Sequence, residues 1–359
     1  MASMNQTPNA NRVRIAFFGL RNAGKSTLVN EFTGQEIAIV SDTPGTTTDP
    51  VSKAMEILPL GPCLITDTAG LDDEGELGMR RVEKSLSVLA VTDIAVWVGD
   101  GFEKWRSRFS VPVIEFHRGD SVEQLKDKIA AVKIGEIAPG LLDGLVGKES
   151  RVVCVCPIDG SAPKGRLILP QVQVIRDCLD RGLVCTVCQP RELADALART
   201  GGGDTLVITD SQAFGEVSRT LSGTSARLTS FSLLFARQKG DIAAYKVGLS
   251  AVSSLKDGDR VLVAEGCTHR RQCEDIGTVK IPKALAKLSG GKKLSFVFAS
   301  GASFDPSGAA LVVQCGGCML TRREVLRRIA LAKEAGVPVV NYGMVLAKAA
   351  GVEVEKCAM

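Results

Sequence analysis

Three cysteines and one histidine near the C-terminal end of the chain have the types and spacing of a metal site. Cys267 and His269 form a C-x-H pair. Cys315 and Cys318 form a C-x-x-C pair with two glycines between the thiols. Three thiolates with a weak fourth ligand suit an iron-sulfur cube with one exchangeable iron, whereas structural zinc prefers four good ligands. The alternative is that these are buried cysteines, because free cysteine behaves as a small hydrophobic residue.

A second chemical pattern lies near the N-terminus and is typical of phosphate binding. The apolar stretch RVRIAFFG runs into GLRNAGKS, which fits G-x-x-x-x-G-K-S, and a helical pattern follows. Strand, loop and helix in this order are the context in which the pattern binds phosphate. We expect Lys25 to reach the outer phosphates and the Ser26 hydroxyl to ligate Mg²⁺. The predicted nucleotide-binding residues are Gly19, Asn22, Ala23, Gly24, Lys25, Ser26 and Thr27.

Two later motifs agree with this prediction. The polar segment SDTPGTTTDP is typical of a switch loop, in which Thr47 or Thr48 can ligate Mg²⁺ when a terminal phosphate is present. In the following D-T-A-G, Asp67 is expected to hold Mg²⁺ through water and the Gly70 amide to sense the terminal phosphate. The predicted catalytic residues are Lys25, Thr47, Asp67 and Gly70.

These motifs together resemble the translation-factor-class GTPases of the Era and MnmE kind. The resemblance implies GTP and Mg²⁺ as ligands. It also implies K⁺, since members with an asparagine at the position of Asn22 often use potassium in hydrolysis. Leu71 stands where many GTPases carry a water-positioning glutamine, so we expect slow hydrolysis.

The motif that reads guanine in such GTPases, N-K-x-D, is missing from the chain. The segment HRGD follows a predicted strand at 111–116 and has two interpretations. It is either a shortened N-K-x-D in which Asp120 survives or the later S-A-K loop. The helix that begins at once at Ser121 favours the S-A-K loop, which leaves guanine preference and GTP hydrolysis open.

Composition limits the class of protein. The chain of 359 residues is 45% hydrophobic and 23% charged, with a net charge of +4 and no long charged block. Nucleic-acid binding is therefore not indicated. No apolar run resembles a signal peptide or a membrane span, so we expect no membrane association. Eleven cysteines without a secretory signal favour a reducing compartment, either the cytoplasm or the matrix of an anaerobic organelle.

The order of apolar and helical segments predicts an α/β protein with a P-loop GTPase domain followed by two smaller parallel-sheet α/β domains. The predicted domains span residues 1–147, 148–256 and 257–359. In the second, Cys185 and Cys188 are expected on opposite faces of one strand, as packing residues. The apolar segment 229–241 is expected to serve association between protomers. In the third, both cysteine motifs follow strands, so their ligands converge at one sheet edge.

Motifs along nearly the whole chain resemble the FeFe-hydrogenase maturation GTPases, the HydF family. They include PGTTTDPV, DTAGLDDEGELG, PIDGSAPKGRLILPQVQ, LTSFSLLFARQKGD, AEGCTHRRQCEDIG and QCGGCMLTRREVLRRI. The resemblance implies a dimerisation domain at 148–256 and a domain at 257–359 that binds a 4Fe-4S cluster through Cys267, Cys315 and Cys318. It further implies a homodimer or higher oligomer that carries a di-iron precursor to apo FeFe-hydrogenase. The radical-SAM maturases HydE and HydG are the other implied partners.

One departure from that family concerns the fourth cluster ligand. Many members have H-C-G-G-C, whereas Gln314 replaces the histidine here. The fourth iron is then expected to be held weakly, by His269, another side chain, water or an exogenous ligand. Arg270, Arg271 and Arg322 lie beside these motifs, either to hold anionic ligands or as solvated surface charge. An alternative function is an Era-like GTPase in RNA modification or ribosome assembly, with a structural zinc.

Overall fold

The computed structural model describes residues 9–34, 50–73, 75–133, 139–158, 167–201, 203–266, 276–300 and 304–359. The chain forms two compact units, Met1–Ile137 and Ala138–Met359. Leu141, Leu142 and Leu145 come from the stretch that predicted the first domain boundary, and they pack into the core of the second unit. The domain limits at 147 and 256 stay predictions.

The first unit contains a five-stranded sheet. Its strands are β1 (Val13–Gly19), β2 (Val51–Ile57), β3 (Gly61–Asp67), β4 (Ile94–Val98) and β5 (Val113–Phe116), in the order β2-β3-β1-β4-β5. Its helices are α1 (Lys25–Thr33), α2 (Gly75–Leu89) and α3 (Val122–Ala130). Strand β2 is antiparallel to β3, and the other neighbours are parallel. The carboxyl ends of β1, β3, β4 and β5 therefore share one edge of the sheet, where ligands of open α/β sheets bind.

Both faces of this sheet are covered, which explains the continuous apolar run in β1. Ile15 and Phe17 pack into one core cluster, and Ala16 and Phe18 pack into another. Successive side chains of a strand point to opposite faces, so a strand buried on both sides has apolar residues at consecutive positions. The burial of β1 holds the phosphate loop, which begins at its last residue, on a rigid strand.

The second unit contains two four-stranded parallel sheets. The first consists of β6 (Arg151–Val155), β7 (Cys185–Cys188), β8 (Thr205–Thr209) and β9 (Arg227–Ser230), in the order β7-β6-β8-β9. The second consists of β10 (Arg260–Glu265), β11 (Ser295–Ser300), β12 (Leu311–Gln314) and β13 (Val339–Asn341), in the order β11-β10-β12-β13. These sheets confirm the predicted α/β class.

Eight helices of the second unit are described. Those that accompany the first sheet are α4 (Leu169–Asp180), α5 (Leu193–Thr200), α6 (Phe214–Thr220) and α7 (Phe231–Lys239). Those that accompany the second sheet are α8 (Ile242–Ala251), α9 (Ile281–Leu288), α10 (Arg322–Glu334) and α11 (Tyr342–Ala349). Among the described residues, none of the helices combines the length and apolar character needed to cross a membrane.

Helix α7 lies between the cores of the two sheets in the second unit. Phe231 and Phe235 pack with the first sheet, and Leu233 and Ala236 pack with the second. A helix that is apolar on all sides is stable only when it is buried on all sides. The prediction that segment 229–241 is an association surface is therefore wrong, because its apolar side chains are used inside one chain.

The cysteines of β7 lie on opposite faces of the first sheet, as predicted. Cys185 packs in the cluster that contains Cys154, with 3.6 Å between the two sulfurs. Cys188 packs against the cluster on the other face. The alternation of side chains along a strand separates two residues three positions apart, so these thiols do not share one metal ion.

Candidate functional site

The phosphate loop has the backbone conformation of an anion-binding concavity. Asn22 and Gly24 both adopt left-handed conformations, with φ of 59° and 86°. Left-handed residues in such a loop turn successive backbone N–H groups towards one point, where a phosphate oxygen can accept them. Helix α1 begins immediately afterwards at Lys25, so its N-terminus faces the same point and favours negative charge. Ala23 packs against the core, and Thr27 is exposed on the first turn of α1.

Lys25, Ser26 and Asp67 meet at the carboxyl edge of β1 and β3. The Lys25 ammonium donates to the Leu20 carbonyl at 2.6 Å, and Ser26 Oγ donates to Asp67 Oδ2 at 2.6 Å. Asp67 is fully buried, and its Oδ1 has no hydrogen-bond partner among the described residues. An orphaned carboxylate oxygen beside a serine hydroxyl fits Mg²⁺, which prefers oxygen ligands and keeps several waters.

Burial opposes charge on both ionisable groups of this site. It lowers the pKa of Lys25, although the nearby carboxylates, Asp67 first, oppose the change. It raises the pKa of Asp67, although the Ser26 hydrogen bond and the Lys25 charge oppose the change. Phosphate oxygens next to Lys25 and a divalent cation next to Asp67 would offset these desolvation costs. The electrostatics therefore favour an anion and a cation bound together.

The D-T-A-G loop is fastened to the phosphate loop. Thr68 Oγ1 donates to the Phe17 carbonyl at 2.6 Å, and the Leu71 amide donates to the Gly19 carbonyl at 3.2 Å. Leu71 is buried in the core, so it does not face the nucleotide pocket. Beyond it, Asp72 Oδ1 accepts the backbone N–H of Arg21 at 2.5 Å. A carboxylate therefore lies on the middle of the phosphate loop, at a residue that the motifs did not single out.

The HRGD segment follows a strand that lies directly beside β4. Strand β5 pairs with β4 in parallel, and the Gly99 amide donates to the Phe116 carbonyl at 2.8 Å. The pairing places HRGD at the carboxyl edge of the sheet beside the end of β4, and both interpretations of the segment stay predictions. Asp120 Oδ2 accepts the His117 N–H at 2.7 Å, and the His117 ring lies 3.4 Å from Asp100 Oδ1.

The second candidate site lies at the carboxyl ends of β10 and β12, which are neighbours in the second sheet of the second unit. The Cys315 amide donates to the Ala264 carbonyl at 3.0 Å. In return, the Gly266 amide donates to Cys315 Sγ at 3.1 Å. An amide that donates to sulfur favours the thiolate form, which is the form that ligates metal. The convergence of these two strand ends agrees with the predicted arrangement.

Several buried polar groups surround this pair of strand ends. Lys239, at the end of α7, donates to the carbonyls of Gly317 and Leu320. Gln314 is fully buried, and neither its Oε1 nor its Nε2 has a partner among the described residues. A protein rarely leaves both ends of a buried amide unsatisfied, so these atoms fit a further ligand at this edge.

Burial also dominates the electrostatics of the thiols. It raises the pKa of Cys315, although amide donation from Gly317 and Gly266 opposes the change. It raises the pKa of Cys318 to about 11, and the charge of Cys315 adds to this while Lys239 opposes it. Burial lowers the pKa of Lys239 to about 8. A metal cation that displaces the thiol protons would stabilise both thiolates, so the donor set fits a thiophilic metal.

Part of the predicted sites lies outside the described residues. This applies to Thr47, Thr48, Cys267, His269, Arg270 and Arg271. Within the described ranges, no group of three or more metal-ligating side chains is assembled. Arg322 is described, and its guanidinium donates to the Gln238 carbonyl at the end of α7 at 2.8 Å. Arg322 therefore joins α10 to α7 and is not a solvated surface charge.

The motifs missed two residues that the structure brings to the candidate sites, Asp72 and Lys239. Asp72 follows the D-x-x-G, and only its acidic side chain beside a phosphate loop indicated a role. Lys239 ends an otherwise apolar helix, where a lysine is expected to need a specific partner if it is buried. That signal was present, but the partner is 81 residues away in sequence.

Comparison with known proteins identifies three segments of the chain. Residues 141–240 match the model of the hydrogen maturase F dimerization domain, and residues 243–357 match that of the hydrogen maturase F tetramerization domain. Residues 14–132 match the 50S ribosome-binding GTPase family. The first segment therefore belongs to a GTPase fold, in agreement with its sheet and phosphate loop.

Two curated relatives each match about a quarter of the chain. The tRNA modification GTPase MnmE of Phenylobacterium zucineum is 43% identical over 89 residues, which cover 24% of this chain and 20% of the relative. The GTPase Der of Campylobacter hominis is 38% identical over 88 residues, which cover 24% of this chain and 19% of the relative. The chain thus spans about a fifth of the length of these relatives.

Among solved structures, Era of Aquifex aeolicus aligns with 89% of this chain and 97% of its own chain, at 15% identity and a TM-score of 0.26. A likeness at that score is too weak to assign a fold or a role to this chain. The two hydrogen maturase F domains, in contrast, follow each other without a long gap and contain the candidate metal site. With a GTPase segment in front of them, they show that this chain belongs to the hydrogen maturase F family.

Proposed function

We propose that this chain is a GTP-binding scaffold for the maturation of FeFe-hydrogenase. It holds a 4Fe-4S cluster through Cys267, Cys315 and Cys318, carries a di-iron precursor and transfers that precursor to apo-hydrogenase. The observation that supports this most strongly is the position of Cys315. Its sulfur accepts an amide from the end of the neighbouring strand, within a segment that matches the hydrogen maturase F tetramerization domain.

The roles of the metal-site residues follow from their surroundings. Cys315 and Cys318 supply two thiolates from one C-x-x-C, and Cys267 is the proposed third ligand. Gln314 leaves the fourth iron without a strong protein ligand, and His269 is its candidate partner. A weak fourth ligand would make this iron the place where cargo is exchanged.

The nucleotide site is proposed to act through its charges. The phosphate-loop amides and Lys25 bind the phosphates, while Ser26, Asp67 and Thr47 hold Mg²⁺. The Gly70 amide senses the terminal phosphate, and Asn22 marks a K⁺ site. Because Leu71 is buried, hydrolysis is proposed to be slow, and the nucleotide acts mainly as a switch.

The partners follow from the scaffold role. Nucleotide state is proposed to bias contacts with HydE and HydG, which load the chain, and with the hydrogenase that receives the precursor. The chain works as a dimer or higher oligomer, in the cytoplasm or in the matrix of an anaerobic organelle. Its many thiols stay reduced in such compartments.

The test of the metal site is electron paramagnetic resonance of the anaerobically reconstituted, dithionite-reduced full-length chain, with iron and sulfide assayed on the same sample. We expect a 4Fe-4S signal that disappears in Cys315→Ser. Cys188→Ser is the matched control, because this thiol packs on a different sheet and the signal should persist. Zinc in place of iron would favour the alternative, a ribosome-binding or RNA-modifying GTPase with a structural metal.

The test of the nucleotide site is calorimetry with GTP, GDP and ATP. We expect the guanine nucleotides to bind and Lys25→Ala to abolish their binding. If Asp120 still reads the base, Asp120→Asn will reduce the preference for GTP over ATP. Equal binding of GTP and ATP by the unmodified chain would contradict guanine specificity.

A further inference from the structure

Lys239 is a buried ammonium group directly against the loop that carries Cys315 and Cys318. Its relative exposure is 3%. Its Nζ donates to the carbonyl oxygens of Leu320 at 2.7 Å, Gly317 at 3.1 Å and Cys318 at 3.4 Å. An ammonium has three protons to donate, so these bonds account for all of them. One side chain thus holds three backbone carbonyls within residues 317–320, in the loop that carries Cys315 and Cys318.

The charge of Lys239 lacks the usual compensation. Among the residues that the structure describes, no carboxylate forms an ion pair with it, and the Phe235 ring lies under it at 5.1 Å. Arg328, which is equally buried on α10, is different, because its guanidinium donates to Glu324 at 2.8 Å. A buried charge is costly unless it is paired, and carbonyl dipoles with an aromatic ring offset only part of that cost.

The missing negative charge is available from the thiolates of the loop itself. Negative charge on Cys318 or Cys315 would raise the pKa of Lys239, against the larger effect of its burial. Thiols carry negative charge once metal has displaced their protons. The positive charge of the ammonium would then compensate the negative charge of a metal-thiolate centre on the same loop.

We infer that Lys239 is a positioning residue for the metal centre, which fixes the loop of Cys315 and Cys318 and supplies the counter-charge of the cluster. The inference rests on the proposed function, because it requires a cluster on these thiols. Charge near an iron-sulfur cluster is one of the features that set its reduction potential. A fixed positive charge favours the state with one more electron. Lys239 therefore makes the cluster easier to reduce.

The position of Lys239 at the end of α7 fixes where its ammonium lies. Lys239 ends α7, the helix that contacts the cores of both sheets in the second unit. The adjacent Gln238 carbonyl accepts Arg322 from the start of α10. Because α7 is packed between the two cores, the backbone that carries the Lys239 side chain is fixed. Its distance from the loop is set by packing, as a positioning residue requires.

The experiment compares Lys239→Met, which removes the charge at similar length, with Lys239→Arg, which keeps it. Lys333→Met is the matched control, since Lys333 pairs with Asp241 on the surface of α10. The readout is a potentiometric titration followed by electron paramagnetic resonance on the reconstituted full-length chain, with iron counted in each sample. A merely structural lysine would alter the iron content or the stability, but not the potential of the cluster that remains.

We expect a more negative midpoint potential in Lys239→Met, a potential near that of the unmodified chain in Lys239→Arg, and no shift in Lys333→Met. If Lys239→Met retains no iron, Lys239→Arg decides: recovery of the cluster supports the inference, and loss of the cluster in Lys239→Arg overturns it. A full cluster with an unchanged potential in Lys239→Met overturns it as well. Absence of a cluster from the unmodified chain would instead refute the proposed function, and the inference would be lost with it.

Discussion

At the scale of single residues, Asp72 is the acidic group whose position was least expected. Its carboxylate accepts the Arg21 amide of the phosphate loop, a loop whose backbone amides are expected to bind phosphate oxygens. Two anions cannot share that amide without repulsion. We therefore expect Asp72 to repel the terminal phosphate of GTP and to weaken GTP binding unless the carboxylate moves away. GDP lacks a terminal phosphate, so its binding should be less affected.

We predict that Asp72→Asn strengthens the binding of GTP relative to GDP. Removing one charge about 4 Å from a phosphate is worth roughly 1 kcal/mol where water screens the pair, which corresponds to about a fivefold change in dissociation constant. Isothermal calorimetry with both nucleotides measures the ratio. Glu76→Gln is the control, because Glu76 is exposed on α2 and pairs with Arg80. An unchanged ratio in Asp72→Asn would show that the carboxylate leaves the loop at no cost.

Gln314 gives a second prediction for a single residue. Its amide is buried without a partner among the described residues, at the position where many family members have histidine. Gln314→His introduces a nitrogen ligand of the kind that iron accepts, so we expect the spectrum of the proposed cluster to change more than its iron content. Gln314→Met is the control of similar length, with no strong ligand. Identical spectra in Gln314→His and in the unmodified chain would remove the idea.

Residues with a local signature were predictable, and residues with a distant partner were not. The phosphate loop and Asp67 were found because backbone geometry and Mg²⁺ chemistry demand particular residue types at short spacing. Asp72 and Lys239 depend on partners 51 and 81 residues away. Nothing in the neighbouring sequence reports such a contact. The segment 229–241 was misinterpreted for the same reason, since an apolar helix can be covered by its own chain or by another.

At the scale of elements, helix α8 packs unusually close to strand β13. A Cβ built on Gly248 would lie 2.0 Å from the Val339 carbonyl oxygen, which is far inside van der Waals contact. We therefore predict that Gly248→Ala pushes α8 away from β13 and destabilises the chain, despite the better helix propensity of alanine. Overpacking of this kind costs about 1–3 kcal/mol. Urea denaturation measures the loss.

The control for this prediction is Ser250→Ala on the exposed side of the same helix. The Ser250 hydroxyl donates to the Lys246 carbonyl one turn earlier. Its removal should change the unfolding free energy by less than about 0.5 kcal/mol. If Gly248→Ala were as stable as Ser250→Ala, the close approach of α8 and β13 would be incorrect.

The N-terminal turn of α10 should make stability depend on pH. Burial alone would raise the pKa of Glu324, but hydrogen bonds from Arg327 and Arg328 outweigh burial and hold the pKa below its usual 4.5. A carboxylate with a lowered pKa stabilises the fold above its unfolded pKa, and this stability is lost as pH falls through the folded value. The contribution should therefore be complete at pH 7 and decline below about pH 4.5.

Comparison of the unmodified chain with Glu324→Gln at pH 7 and pH 4 tests this. Breaking a buried ion pair costs about 3–5 kcal/mol, so the difference in unfolding free energy should be large at pH 7 and smaller at pH 4. Glu334→Gln, on the exposed end of the same helix, should show neither effect. A difference that is equal at both pH values would assign the loss to packing and not to charge.

At the scale of the whole molecule, the number and type of sheets were predictable, but the order of their strands was not. Alternating apolar and helical segments indicated parallel sheets, and the structure confirms them. The order β7-β6-β8-β9 leaves β7 and β9 at the edges, which no pattern within a strand reveals. The outer edge of β9 is already in use, because the Ala358 amide donates to the carbonyl of Leu228 in this strand. Strand β7 therefore becomes the edge available for a partner.

We predict that β7 pairs with β7 of a second copy. Val184 and Val187 are 74% and 45% exposed on this edge, and Leu179 of the adjacent α4 is 67% exposed. Exposed apolar edge strands promote association, and a two-fold axis allows one strand to pair with itself. The matched family model for residues 141–240 is that of a dimerization domain, which gives the second copy priority over other partners.

Val187→Lys should therefore convert dimers to monomers, because each copy would have to bury a lysine charge in the apolar interface between the paired strands. Light scattering after gel filtration at micromolar concentration measures the mass. Val247→Lys is the matched control, since Val247 is 66% exposed on α8, outside the 141–240 segment, and its substitution should leave the dimer intact. A dimer that survives Val187→Lys but not Val247→Lys would move the interface from β7 to α8.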